Sequence, residues 1–172
     1  VLNSLACIIV CIYLGVNTQD IQRLFSNFKN AARRFSLKTF GDIVTIDDYA
    51  HHPTEIKVTL EAARAKYPDK KLIAVFKPNT YSRTAAFTKE FADSLKIADK
   101  VFMTEIDCNR EKQEDYPGIT SSLVLKDIPD GEIIGEDDVD KLLKYQNAVI
   151  CFMSCASISH IKDKYESLLE ST

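Results

Sequence analysis

The sequence predicts an α/β domain: a doubly wound, mostly parallel sheet with an N-terminal β-hairpin, preceded by a short helical segment. Three observations carry this. Short continuous apolar runs, IAVF inside Lys71–Phe76, VFM at Val101–Met103 and AVICFM at Ala148–Met153, read as strands buried on both faces, as in parallel sheets covered by helices. Stretches of helical spacing lie between them, so β and α elements alternate. The first two strand-like runs are joined by Phe40-Gly41-Asp42, a hairpin turn.

Val1–Val16 reads as a buried helix ending near Gly15. Thr18 caps a second helix to about Phe25, with Ile21, Leu24 and Phe25 on its apolar face. Asn27–Ala32 turns small and polar, which places a domain boundary there: residues 1–30 form a helical tail and 31–172 the main domain. Arg34–Thr39 and Asp42–Asp47 are the hairpin strands, and Pro68 stops a helix over Thr54–Lys66. Strand Lys71–Phe76 leads to a helix at about Ala85–Ile97, and strand Lys100–Glu105 to a short helix near Ile119–Leu125. Strand Glu132–Ile134 leads to helix Asp137–Leu143, and strand Ala148–Met153 to a closing helix at about Ile158–Leu169. The alternation is Rossmann-like, and in such sheets ligands bind at the carboxyl ends of the strands.

The chain has 172 residues, 45% hydrophobic and 27% charged, enough for a core without metal or disulfide staples. Its net charge of −3 gives no basic surplus for nucleic acid or an anionic membrane. Five scattered cysteines, Cys7, Cys11, Cys108, Cys151 and Cys155, without C-x-x-C spacing, suggest reduced, buried and inert thiols in a cytosolic protein. Val1–Leu14 has no basic flank or cleavage site and is too short to span a bilayer. With no initiator Met and a start inside a helical run, the chain is expected to be an excised fragment.

Chemistry-bearing residues follow the strands. After the first comes Asp47-Asp48-Tyr49-Ala50-His51-His52-Pro53-Thr54-Glu55. Pro53 suits the first helical position, which puts both histidines at a helix N-terminus, where free N–H groups favour anions. Helix capping with surface polarity is the plain alternative. Adjacent histidines on a turn point apart and no third ligand is spaced to join them, so no metal site is expected. After the next strand, Lys77–Thr84 offers hydroxyls, an amide and Arg83, which grips a carboxylate or phosphate or simply sits on a surface turn. Asp107, Asn109, Arg110 and Glu111 read as an ordinary polar loop. There is no phosphate loop, no G-x-G-x-x-G and no recognisable nucleophile elbow, and only five glycines, so the chain by itself cannot cradle a triphosphate.

Arg33-Arg34-Phe35, DDYAHHPTEI over Asp47–Ile56 and AVFKPNTYSRT over Ala74–Thr84, in this order and separation, resemble the C-terminal domain of the Mur ligases. The likeness is to the branch that joins L-alanine to UDP-N-acetylmuramate. EFADSL (Glu90–Leu95), ADKVF (Ala98–Phe102) and AVICFM extend it, and VLNSLA (Val1–Ala6) resembles the helix closing the family's central ATP-binding domain. The resemblance implies an ATP-dependent, amide-forming ligase of the bacterial cytoplasm, acting in peptidoglycan biosynthesis. ATP with magnesium converts a lactyl carboxylate to an acyl phosphate, which the amine of L-alanine attacks with loss of phosphate. The implied partners are UDP-N-acetylmuramate, L-alanine, ATP and the remaining Mur ligase domains. Because the central domain supplies the phosphate loop and most magnesium ligands, this chain alone is expected to be inactive.

Asp48 resembles the acid that hydrogen-bonds the ATP ribose, and Arg34 the arginine that reaches the ATP phosphates and steadies the transferred group. Asn3 resembles an asparagine that contacts adenine. Tyr49, His51 and Arg83 match positions around the incoming alanine, Arg83 being suited to its carboxylate, while His52 takes a structural role. Three places depart from the family pattern. Phe76-Lys77-Pro78-Asn79 replaces F-Q-P-H, Thr80 stands where some members have a second arginine, and Ser154-Cys155-Ala156-Ser157 replaces Gly-Ala-Gly-Asp, removing two easy left-handed backbone positions. A sister ligase that attaches a recycled tripeptide to the same sugar nucleotide carries a similar acid-x-A-H-H-P motif, but T-Y-S-R-T favours the alanine branch. A non-catalytic binding module of the same fold and a metal-dependent hydrolase using His51 and His52 are the other readings.

Overall fold

A computed structural model describes residues 2–28 and 31–171; Val1 of the expected first helix and residues 29 and 30 of the expected linker lie outside the described residues. The chain divides into two compact units, Val1–Ala31 and Ala32–Thr172.

The first unit is a helix pair, α1 (Leu2–Tyr13) and α2 (Thr18–Ser26). Gly15, at φ +82°, closes α1. The Val16 N–H reaches back to Cys11 O at 2.9 Å, the long bond of a left-handed helix stop. Asn17, not Thr18, is the cap of α2: its Oδ1 accepts the Asp20 N–H at 2.8 Å. The expected burial of α1 is not observed. Ile9, Val10, Ile12, Tyr13 and Leu14 are exposed, and so is Cys7. Two short helices offer each other one face, and Ile21 is the buried hydrophobic residue described there.

The second unit holds a six-stranded sheet in the order β1-β2-β6-β3-β4-β5. Its strands are β1 (Ser36–Phe40), β2 (Ile43–Asp48), β3 (Lys71–Phe76), β4 (Lys100–Met103), β5 (Glu132–Ile133) and β6 (Ala148–Met153). The β1–β2 pair is an antiparallel hairpin turned at Gly41 (φ +57°), and every other pairing is parallel. The central strands are apolar throughout because alternate side chains enter different cores. Leu72, Ala74 and Phe76 of β3 pack on one face with Leu60 and Phe91, while Ile73 and Val75 pack on the other with Phe152 and Tyr165.

Helices α3 (Pro53–Lys66), α4 (Tyr81–Ala86), α5 (Thr88–Leu95), α6 (Ser121–Leu125), α7 (Asp140–Leu143) and α8 (Ser159–Glu170) complete the domain. The helix expected over Ala85–Ile97 begins earlier, at Tyr81, with four residues between β3 and α4, and it breaks at Phe87 (φ −127°, ψ 27°). The one expected at Asp137–Leu143 splits into a 3-10 turn, Glu136–Asp138, and α7. The first hairpin strand starts at Ser36 rather than Arg34, because Arg33 and Phe35 adopt left-handed backbone at φ 58° and 52°.

Candidate functional site

Register places the site. Asp48 of β2 pairs with Met153 of β6, Met153 with Phe76 of β3, and Phe76 with Met103 of β4. Four adjacent parallel strands therefore end in one row, and their following loops leave the sheet side by side.

The loop after β2 is held by its own polar groups. Asp48, 8% exposed, accepts the Ala50 N–H on Oδ1 and the Phe35 N–H on Oδ2, both at 2.8 Å. It thus ties the segment before β1 to the end of β2. His52 caps α3, its Nδ1 accepting the Thr54 N–H at 3.3 Å, and Pro53 takes the first helical position. Glu55 closes the capping box by accepting the His52 N–H at 3.2 Å, and also the His51 N–H at 3.0 Å. Burial opposes the charged form of Glu55, yet the His51 N–H and charge, the His52 N–H and the charge of Arg34 bring its pKa below the ordinary value. His51 Nδ1 lies 3.0 Å from Tyr49 O and 3.1 Å from Glu55 Oε2. Two acceptors at Nδ1 assign a ring proton there, and Nε2 is the nitrogen left for a ligand.

The two arginines before the hairpin have different tasks. Arg33 Nη2 donates to Ser154 O at 2.5 Å and Ala156 O at 2.9 Å, and its Nε lies 3.4 Å from Asp47 Oδ1, so it clamps the loop after β6. Arg34 is exposed and lies over the Tyr49 ring, 5.1 Å from its centroid, with Arg33 at 5.4 Å. Nothing local to Arg33-Arg34-Phe35 marks this structural work of Arg33.

The loop after β6 is equally well tied. Ser154 is fully buried; its hydroxyl donates to Lys77 O at 2.9 Å and accepts the Ala156 N–H at 3.0 Å, and its own N–H reaches Asp48 O at 3.2 Å. None of residues 154–157 has positive φ. The backbone here does not require glycine, and the serine puts its hydroxyl to use.

Tyr49, His51 and Arg83 meet in one pocket of about 500 Å³, walled by the loops after β2, β3, β4 and β6. Asn79, Thr80, Cys108, Asn109, Arg110, Cys155, Ala156 and Ser157 complete its lining. No local pattern marks the two cysteines: Cys108 and Cys155 are half-buried pocket residues, whereas burial at Cys151 pushes its thiol pKa up. Asn109 and Arg110, which read as ordinary surface, also face this space. Beside it Lys77 Nζ, largely buried, holds Asp107 Oδ2 at 2.9 Å, and that bond sets the Asp107 carboxyl below its usual range.

Asn3 belongs to the helical unit, where it lines a separate cavity with apolar neighbours such as Ile21, Leu24 and Phe25. Among the described residues no group of three or more His, Cys, Asp or Glu is placed to hold a metal ion. No helix among them is long and apolar enough to cross a membrane.

Residues 33–154 match the family described as Mur ligase, glutamate ligase domain. The chain belongs to this family. Among curated relatives it is 48% identical over 172 residues to the UDP-N-acetylmuramate–L-alanine ligase of Lactiplantibacillus plantarum and 46% identical over 171 residues to that of Levilactobacillus brevis. These alignments cover 99% and 98% of the chain, which spans 38% of the length of either relative. Among solved structures, the UDP-N-acetylmuramate–alanine ligase of Thermotoga maritima superposes with a TM-score of 0.78 at 25% identity, over 99% of this chain and 37% of that one. A domain from Haemophilus ducreyi, assigned to a UDP-N-acetylmuramate:L-alanyl-gamma-D-glutamyl-diaminopimelate ligase, matches with a TM-score of 0.56 at 30% identity, over 79% of this chain and 99% of that one.

Proposed function

We propose that the polypeptide carrying this chain joins L-alanine to UDP-N-acetylmuramate at the expense of ATP, and that residues 31–172 supply its amino-acid pocket and complete its nucleotide site. The helical unit is then the tail of the central ATP-binding domain. The observation that carries the reading is the meeting of Tyr49, His51 and Arg83 in one pocket at the carboxyl ends of four parallel strands. Identity of 46–48% to alanine-adding ligases supports the choice of amino acid.

Each residue has a task suited to its surroundings. Arg83 makes no ion pair among the described residues and offers its fork to the alanine carboxylate. His51, with Nδ1 engaged, turns an acceptor nitrogen toward the alanine ammonium group and accepts its proton before attack. Tyr49 forms the wall between this pocket and Arg34, which reaches toward the phosphates from an exposed position.

For the nucleotide the fit is mixed. Each Asp48 oxygen already holds one amide N–H and retains a lone pair for a ribose hydroxyl, but little of the residue is open. Asn3 is exposed, as an adenine contact requires. Magnesium, which neutralises phosphate charge when bound, finds no ligand cluster among the described residues, and we place its ligands elsewhere in the polypeptide.

The test is the product. The native full-length polypeptide, given ATP, magnesium and UDP-N-acetylmuramate with equal L-alanine and the recycled tripeptide, is expected to yield the alanine adduct by mass spectrometry. A predominant tripeptide adduct would move the assignment to the recycling ligase, which the 30% identity to the Haemophilus ducreyi domain keeps as the second reading. Absence of both adducts would leave a binding module.

A further inference from the structure

We propose that Arg110 and Arg83 form a two-cation clamp for a carboxylate, that of the small amino acid taken up in this pocket. The identity of the ligand rests on the function proposed above; the clamp rests on the pocket's own charges.

The lining contains two guanidinium groups and no carboxylate. The neighbouring acids are committed elsewhere. Asp107 pairs with Lys77 Nζ at 2.9 Å, and Glu111 accepts the Ser82 N–H at 3.0 Å and the Ser82 hydroxyl. Arg83 feels Glu111 only through space, and no hydrogen bond or ion pair of Arg110 is found among the described contacts. A partly enclosed space with two such cations selects an anion, and planar forks favour a planar, two-oxygen one.

Topology strengthens the assignment. Arg83 follows β3 and Arg110 follows β4, adjacent parallel strands whose ends share one register. The two cations thus approach the pocket from separate loops, and an anion between them links those loops. Thr80, also in the lining, carries a buried Oγ1 without a hydrogen-bond partner among the described contacts. A buried hydroxyl in that state is a donor awaiting an acceptor. The pocket's size, about 500 Å³, suits a small molecule. A phosphate group of the nucleotide shares the required charge, so the experiment separates the two sources.

The experiment is steady-state kinetics of the native full-length polypeptide and its Arg110→Gln variant. Losing a charge-assisted bond to a carboxylate raises the KM for L-alanine about 10- to 100-fold, with the KM for ATP held. The variant also loses most of its preference for L-alanine over L-alaninamide, which lacks the carboxylate. Thr80→Arg in the Arg110→Gln background returns a cation to the same pocket and recovers part of the alanine KM, a rescue that a misfolding defect does not give. An unchanged alanine KM, or a rise confined to ATP, overturns the clamp. If the wild type turns over no amino acid, the proposed function falls, and the clamp is judged by NMR titration with propionate. Weaker propionate binding by Arg110→Gln then supports it, and equal binding overturns it.

Discussion

Asp48 is the residue where fold and function are hardest to separate, and Asp48→Asn separates them. Its carboxylate is nearly buried and receives two backbone N–H bonds of 2.8 Å, from Phe35 and Ala50. Asparagine keeps one acceptor oxygen and presents an NH2 group to the other donor. One charge-assisted bond is lost and one buried N–H is left without a partner, a cost of about 2–3 kcal/mol. Asp48→Ala strands both donors and costs about 3–5 kcal/mol. At roughly 2–4 °C per kcal/mol for a domain of this size, the Asn variant melts about 4–12 °C lower. Urea denaturation gives the free energy, and an unchanged m-value confirms a loss of stability rather than of two-state behaviour. An Asn variant within about 0.5 kcal/mol of wild type would refute the structural role. The ribose role is then read from the KM for ATP, measured well below both melting temperatures. A raised KM in a folded variant supports it, and a normal KM removes Asp48 from the nucleotide site.

Other expectations follow from the same geometry. Arg33→Ala removes two guanidinium–carbonyl bonds to the loop after β6 and lowers stability by about 2–4 kcal/mol, read by denaturant midpoint; a neutral result would show that the loop holds itself. Ser154→Ala leaves Lys77 O and the Ala156 N–H short of a bond and costs about 1–3 kcal/mol, whereas equal stability by calorimetry would mean that the hydroxyl is dispensable. Glu55 has a depressed carboxyl pKa, so its contribution is present above the unfolded value of about 4.3 and is lost as pH falls through the lower folded value. Glu55→Gln should therefore cost stability near neutral pH and little at strongly acid pH; a penalty that does not change with pH contradicts this.

Much of the fold was legible because burial on both faces leaves a plain mark. IAVF and AVICFM have no polar alternation, and they are the two central strands of the sheet. The hairpin turn at Gly41 and the start of α3 at Pro53 were likewise written in local chemistry. What escaped had causes outside the local pattern. The break at Phe87 is marked by no proline or glycine. The left-handed backbone of Arg33 and Phe35 is imposed by partners more than 10 residues away, Asp48 and the carbonyls of Ser154 and Ala156. The apolar α1 reads as a buried helix, but the two-helix unit leaves most of it exposed.

The site divides in the same way. Motif residues Tyr49, His51 and Arg83 were identified from short segments, and their meeting in one pocket depends on a register shared by four strands. Arg110, Cys108 and Cys155 lie in segments whose composition says nothing of a pocket. Ser154 reads in the sequence only as a missing glycine, yet its hydroxyl bridges two loops.

The most direct test of the central claim is the L-alanine dependence of ADP release by the native full-length polypeptide, wild type against Arg83→Ala, with ATP and UDP-N-acetylmuramate saturating. The account predicts saturable, alanine-dependent release by the wild type and a KM for L-alanine raised about tenfold or more in the variant. Alanine-dependent release with an identical KM in both proteins would contradict the amino-acid pocket, and release indifferent to L-alanine would contradict the ligase itself.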